Sequence, residues 1–372
     1  MSGAVERIRL APGLEVSRVL TGLWQIADME RDSGVVEPAA AARSMQTYAA
    51  AGFTSFDMAD HYGSAEEIAG EYAARRTAPP IERLTKWVPK PGALTRADVR
   101  SAVDRALARL QAERLDLLQF HAWSYADPAW LDALLWLDEL RREGLVGHLG
   151  LTNFDTAHLR IVLASGIPVV SNQVCVSLLD RRALGAMGAL CRERAVKLLA
   201  YGTVAGGLLT ERWLGRPEPA EAALATWSEM KYARFVREAG GWAALQDLLK
   251  VVSAVARRRS VSMANVACRY VLEQEAVGGV IVGARLGQSE HIADNLRLFG
   301  FRLEPAELAE LDRAADGLRA IPGDCGDEYR RPPFLTASGD LSHHLSALPP
   351  VWPKQPVPGL PDRWRVDSGS VW

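Results

Sequence analysis

The sequence predicts an α/β fold, a closed (β/α)8 barrel of the TIM type, on three observations. Short apolar runs alternate with amphipathic stretches through most of the 372 residues, which implies parallel strands joined by helical crossovers. Eight such units follow one another within roughly 300 residues, the usual size of a closed barrel. The competing architecture is an open, doubly wound sheet, which carries a glycine-rich turn after its first strand. Here "TGLWQIAD" (21–28) is not GxGxxG.

The opening "RIRLAPGLEVSRV" (7–19) reads as a hairpin ahead of the first barrel strand. Candidate barrel strands follow at "VLTGLW" (19–24), "TSFDMA" (54–59), "RLTKWV" (83–88) and "LDLLQF" (115–120). The remaining four are "GHLGLT" (147–152), "VVSNQV" (169–174), "KLLAYG" (197–202) and "GGVIVG" (278–283). Between them, "RADVRSAVDRALARLQAE" (96–113) sets Val99, Val103, Leu107 and Leu110 on one helical face. "PAWLDALLWLDELRREG" (128–144) starts on proline and stops on glycine, the punctuation of a helix. Further helices fit 38–51, 155–165, 180–194, 244–258, 262–274 and 304–316.

Two regions break this rhythm. Residues 203–243 form a long loop insertion after the seventh strand, rich in Trp213, Trp227, Met230, Tyr232, Phe235 and Trp242. Residues 1–319 are therefore expected to form the barrel, and 320–372 a Pro/Gly-rich tail. The tail should run extended and dock on the barrel through anchors such as Phe334, Leu341 and Trp352. Its near half is expected at the substrate end.

Composition narrows the function. With 48% hydrophobic residues, 24% charged residues and a net charge of −2, the chain suits a globular protein and not a general nucleic-acid binder. No apolar run reaches the roughly 18 residues of a membrane span, and "MSGAVERIRLAPG" has no signal-like core. The expected address is the cytoplasm. Cys175, Cys191, Cys268 and Cys325 stand singly, as small packed side chains rather than bridges or zinc ligands.

Chemistry in a barrel gathers where strands end. Asp57, Lys86, His121, Asn153 and Gln173 stand at the ends of strands two to six, and Tyr62 follows Asp57 by one loop. A lysine and an aspartate inside apolar runs must be buried, and buried charges persist when paired. Pairing Lys86 with Asp57 leaves an ammonium near Tyr62, where it favours the phenolate and makes the phenol a competent proton donor or acceptor. His121 is placed to orient a carbonyl oxygen. These groups include no electron source, so a cofactor must supply the hydride.

In order and spacing, "FDMADHYG", "LTKWV", "LLQFH", "GLTNF", "SNQV", "LLAYGTVAGGLL" and "VGARLGQSEHIADN" resemble the aldo-keto reductase superfamily. The resemblance covers roughly residues 5–316. It implies a TIM barrel that interconverts a carbonyl and an alcohol without metal, using NADP(H) in preference to NAD(H). The family's catalytic tetrad falls on Asp57, Tyr62, Lys86 and His121. Its cofactor contacts fall on Gly22, Trp24, Asp57, Thr152, Asn153, Gln173, Tyr201, Gly202, Val204, Gly283, Arg285 and Asn295. Asn153 and Gln173 match the carboxamide pair, Tyr201 the ring that stacks on nicotinamide, and Gly202 to Gly207 the pyrophosphate loop. Thr152 replaces the usual serine and His291 an often basic position, which leaves 2′-phosphate recognition to Arg285. A helix starting near Gln288 would also offer its N-terminus to a phosphate. Trp24, Trp123 and Tyr125 are the candidate substrate walls. The expected partner is a small carbonyl or alcohol, with no nucleic acid or membrane. The alternative is a cofactor-binding regulatory or interaction protein of the same superfamily with little turnover.

Overall fold

The computed structural model describes residues 4–30, 34–75, 78–90 and 92–330. A two-stranded antiparallel hairpin, β1 (Arg7–Ala11) and β2 (Leu14–Ser17), precedes the barrel. The barrel strands are β3 (Val19–Gly22), β4 (Ser55–Asp57), β5 (Glu82–Trp87), β6 (Leu115–Phe120), β7 (Val146–Thr152), β8 (Val169–Cys175), β9 (Lys197–Tyr201) and β10 (Val277–Gly283). They pair in parallel in chain order, and β10 closes the circuit by pairing with both β9 and β3. All eight strands lie within a residue or two of the runs expected for them.

The helices are α1 (Trp24–Met29), α2 (Pro38–Ala50), α3 (Ala65–Ala73), α4 (Arg96–Arg109), α5 (Ala129–Arg142), α6 (Thr156–Ala164) and α7 (Ala186–Glu193). They continue with α8 (Trp227–Glu238), α9 (Trp242–Arg259), α10 (Met263–Leu272), α11 (Ile292–Arg297), α12 (Pro305–Asp316) and α13 (Asp327–Arg330). Local chemistry sets several boundaries. Thr95 and Asp98 form a reciprocal capping box that opens α4, and Asp155 caps α6 through the His158 amide.

Three expectations need correction. The insertion after β9 is not all loop, because Thr226 and Glu229 form a capping box that starts α8. The helix expected to start near Gln288 starts later: Gly287 is left-handed (φ 79°), the chain turns there, and α11 begins at Ile292. α3 was not among the expected helices; Ile68 and Tyr72, four residues apart, give it its buried face. Of the tail, residues 320–330 are described and pack on the strand ends, whereas the anchors Phe334, Leu341 and Trp352 lie outside the described residues.

The barrel interior is layered. At its lower end the hairpin residues Leu10, Leu14 and Val16 pack on Leu20, Leu84, Leu117 and Leu199 from four barrel strands. Fully burying each such side chain contributes about 1.5–3 kcal/mol, so the hairpin is an apolar plug. That seal leaves the opposite end for polar groups.

Candidate active site

Side chains along a strand alternate between faces, so i and i+2 share the barrel lumen. On β6 and its end this carries the chain from Leu117 in the apolar layer, through Gln119, to His121 at the rim. The same step leads from Leu84 to Lys86 on β5, and from Leu199 to Tyr201 on β9. Polar groups thus collect one layer above the plug by strand geometry alone.

They line a cavity of about 470 Å³. Asp57, Tyr62, Lys86, His121, Asn153 and Gln173 all reach it, as do Gly22, Trp24, Trp123, Thr152, Tyr201, Gly202, Val204 and Gly283. The six groups expected at the strand ends are therefore brought together.

Asp57 is buried and fully engaged. Its Oδ2 accepts from Lys86 Nζ at 2.7 Å, and its Oδ1 accepts from Gln173 Nε2 at 2.7 Å and Gln119 Nε2 at 3.0 Å. Lys86 also donates to the Met58 carbonyl at 3.0 Å, and its ammonium lies 4.8 Å from the centre of the Tyr62 ring. Burial lowers the Lys86 pKa below the ordinary lysine range, while Asp57 acts in the opposite direction. The pairing expected from sequence is present.

His121 is buried, with Trp123 at 5.3 Å and Tyr329 at 5.8 Å between ring centres. Burial holds its pKa well below the ordinary imidazole value, and repulsion from Arg330, His61, Lys86 and Lys231 adds to the effect. The ring is neutral at physiological pH. Asn153 adopts a left-handed backbone (φ 55°) at the end of β7, and its Oδ1 accepts from the Tyr201 hydroxyl at 2.8 Å. Gln173 gives its amide protons to Asp57 and, at 2.9 Å, to Gln119.

Three expected residues do not line this cavity. Tyr125 does not line the cavity: its ring stacks on His158 at 3.5 Å and packs edge-on against Trp130 and Phe154. The turn after His121 carries it outward, under the Arg330 guanidinium at 4.1 Å. Arg285 lies outside the cavity lining, paired with Asp28 at 2.8 Å and donating to Gln288 at 3.1 Å. Asn295, on α11, is also absent from the lining.

Other groups reach the site without a sequence expectation. Gln119 shares the parity of His121 on β6, and that parity was the available signal. Lys231 on α8 and Tyr329 on α13 enter the cavity from segments far apart in the chain. Arg330 secures α13 by donating to the Ala122 carbonyl (3.1 and 2.6 Å) and the Asn153 carbonyl (2.6 Å). Among the described residues no cluster of three His, Cys, Asp or Glu side chains is arranged to hold a metal ion.

A family model described as the aldo/keto reductase family matches residues 18–316. Protein tas of Escherichia coli is 28% identical over 276 residues, which span 68% of this chain and 75% of that protein. The chloroplastic pyridoxal reductase of Arabidopsis thaliana is 26% identical over 283 residues, 71% of this chain and 73% of that protein. The solved glycerol dehydrogenase of Gluconobacter oxydans superposes with a TM-score of 0.71 at 23% identity, covering 86% of this chain and 97% of that one. At that identity the superposition shows the shared fold.

Proposed function

The chain belongs to the aldo/keto reductase family and is an oxidoreductase of carbonyl compounds, and from that premise we propose an NADP(H)-dependent enzyme that interconverts an aldehyde or ketone with its alcohol. The observation that carries this reading is the Asp57–Lys86 pair beside the Tyr62 ring, inside a cavity that also holds neutral His121.

The residues present fit the cofactor. Thr152 Oγ1 is buried and lacks a hydrogen-bond partner among the described residues, as a hydroxyl awaiting a ligand would. Gly202 is left-handed, and a Cβ there would meet the Tyr232 hydroxyl at 2.1 Å, so only glycine fits this turn at the cavity wall. Thr152, Asn153 and Gln173 would hold the carboxamide; with its amide protons committed, Gln173 would offer its carbonyl oxygen. Tyr201 would face the ring and the Gly202–Gly207 turn the pyrophosphate. Arg285 and Asn295 would serve the adenosine end. When bound, NADP(H) supplies or accepts the hydride.

The chain's own residues handle the proton. Lys86 keeps positive charge next to the Tyr62 phenol, which favours loss of its proton to a developing alkoxide. Asp57 keeps Lys86 charged, and Gln119 and Gln173 saturate the other carboxylate oxygen so that Asp57 cannot turn away. Neutral His121 holds the carbonyl oxygen by a hydrogen bond without delivering charge.

Replacing Tyr62 by Phe tests this. The expected result is a fall in kcat of roughly 10²-fold or more, the usual weight of a general acid, with NADPH affinity unchanged in a fluorescence titration. Retention of more than about a tenth of wild-type kcat would contradict the role given to Tyr62.

A further inference from the structure

We propose that Lys231 and Tyr329 form an anion subsite, and that the substrates are carbonyl compounds bearing a carboxylate about one aromatic ring away from the reacting carbon. This deepens the function proposed above and rests on it.

Lys231 reaches the cavity from α8, and its ammonium donates to the Tyr329 hydroxyl at 2.6 Å. It also lies 4.7 Å from the Tyr201 ring, 5.1 Å from the Tyr329 ring and 5.3 Å from the Tyr232 ring. Among the described residues no carboxylate lies within ion-pair distance of it. The carboxylate that acts on its charge, Glu328, is paired with Arg182 Nη1 at 3.0 Å. Lys231 is thus a cation steadied by tyrosine faces, with no ion-pair partner of its own among the described residues, beside a cavity.

Hydrogen-bond direction supports a ligand here. Tyr329 accepts from Lys231, so its own proton must point elsewhere. Its nearest hydroxyl partner is Tyr201, a long 3.3 Å away, and Tyr201 in turn donates to Asn153. An incoming carboxylate would take a strong charge-assisted bond from Lys231 and redirect the weakly held proton of Tyr329. The Tyr329 ring also meets His121 edge-on and packs at 5.1 Å on Trp123. One ring therefore separates the ammonium from the group that would orient the carbonyl, which sets the subsite on the substrate's side of the cavity.

The test compares 4-carboxybenzaldehyde with benzaldehyde, which share a ring and a carbonyl, in the full chain with NADPH. Wild type should prefer the acid in kcat/KM. Lys231→Met should lower kcat/KM for the acid by about ten- to a hundredfold, the weight of one charge-assisted hydrogen bond. Benzaldehyde should stay within about threefold on the same grounds, because it has no group for the subsite. Tyr329→Phe should show a smaller loss of the same selectivity, and Lys231→Arg should retain most of it. Equal losses on both aldehydes, no preference in wild type, or a matching loss of NADPH affinity would overturn the subsite; the last would make Lys231 a pyrophosphate contact. If neither aldehyde is reduced, the proposed activity fails, and equilibrium binding decides the subsite separately. Terephthalate should bind wild type and lose affinity in Lys231→Met, whereas terephthalamide should bind both alike; terephthalate binding that is indifferent to Lys231 would overturn it.

Discussion

Replacing Lys86 by Met gives the most direct measure of what holds this site together. The substitution keeps the length of the side chain and removes its charge. Lys86 Nζ and Asp57 Oδ2 are 2.7 Å apart, and both residues are about 97–98% buried. At an effective dielectric constant of about 20 the Coulomb attraction at that distance is roughly 6 kcal/mol. Taking both charges out of water offsets much of it. Removing one partner is costly, because Asp57 would keep only the two amide donors of Gln119 and Gln173. Urea denaturation should show Lys86→Met less stable by about 3–5 kcal/mol, the range for a buried pair broken on one side. Asp57→Asn should also destabilise, since it strands the ammonium. The double variant should be less destabilised than the two single changes added together by at least about 2 kcal/mol, because neither charge is then left alone. Additivity within about 0.5 kcal/mol would refute the coupling and the tuning of Tyr62 built on it.

His121 gives a pH signature. Burial holds its folded pKa well below the ordinary value, so the unfolded chain takes up a proton near 6.5 that the folded chain refuses. The corresponding stability is present above that pH and is lost as the pH falls below it. Wild type should therefore lose more stability than His121→Gln between pH 7 and pH 5, by up to about 1.4 kcal/mol per pH unit; parallel urea-denaturation curves would contradict a buried neutral ring. Arg285→Ala should weaken NADPH binding about ten- to a hundredfold more than NADH binding, and equal losses in a fluorescence titration would remove Arg285 from 2′-phosphate recognition. Arg330→Ala breaks the bonds to Ala122 and Asn153 and should speed chymotryptic cleavage at buried Tyr329 by at least about tenfold. An unchanged cleavage rate would mean that α13 is held by something else.

The barrel was readable because each strand is a short apolar run whose hydrophobic residues have nowhere to go but a shared interior. Its polar exceptions were readable for the same reason: Lys86 and Asp57 break apolar runs, and burial leaves them only each other. Tyr125 shows the limit. It lies four residues beyond His121, and the direction of the intervening turn is set by His158 and Trp130, contacts that sequence proximity does not reveal. Lys231 was hidden differently. Its helix has a charged, mixed composition, and only the fold of the insertion swings it over the strand ends. Arg285 was legible as a cation near β10, but not as the partner of Asp28.

The seating of residues 320–330 separates closing the barrel from completing its site. Strand β10 ends at Gly283 and closes the circuit, and Tyr329 lies beyond it in the chain. Asp324 must then come back to accept from the Thr156 amide, and Arg182 must collect the Asp324 carbonyl and Glu328. The Asp57–Lys86 pair lies wholly within the strand circuit, whereas the Tyr329 wall of the cavity depends on this returning segment. Its ring covers His121 and Trp123, so a barrel that closes correctly still lacks one side of its site until residues 320–330 are seated.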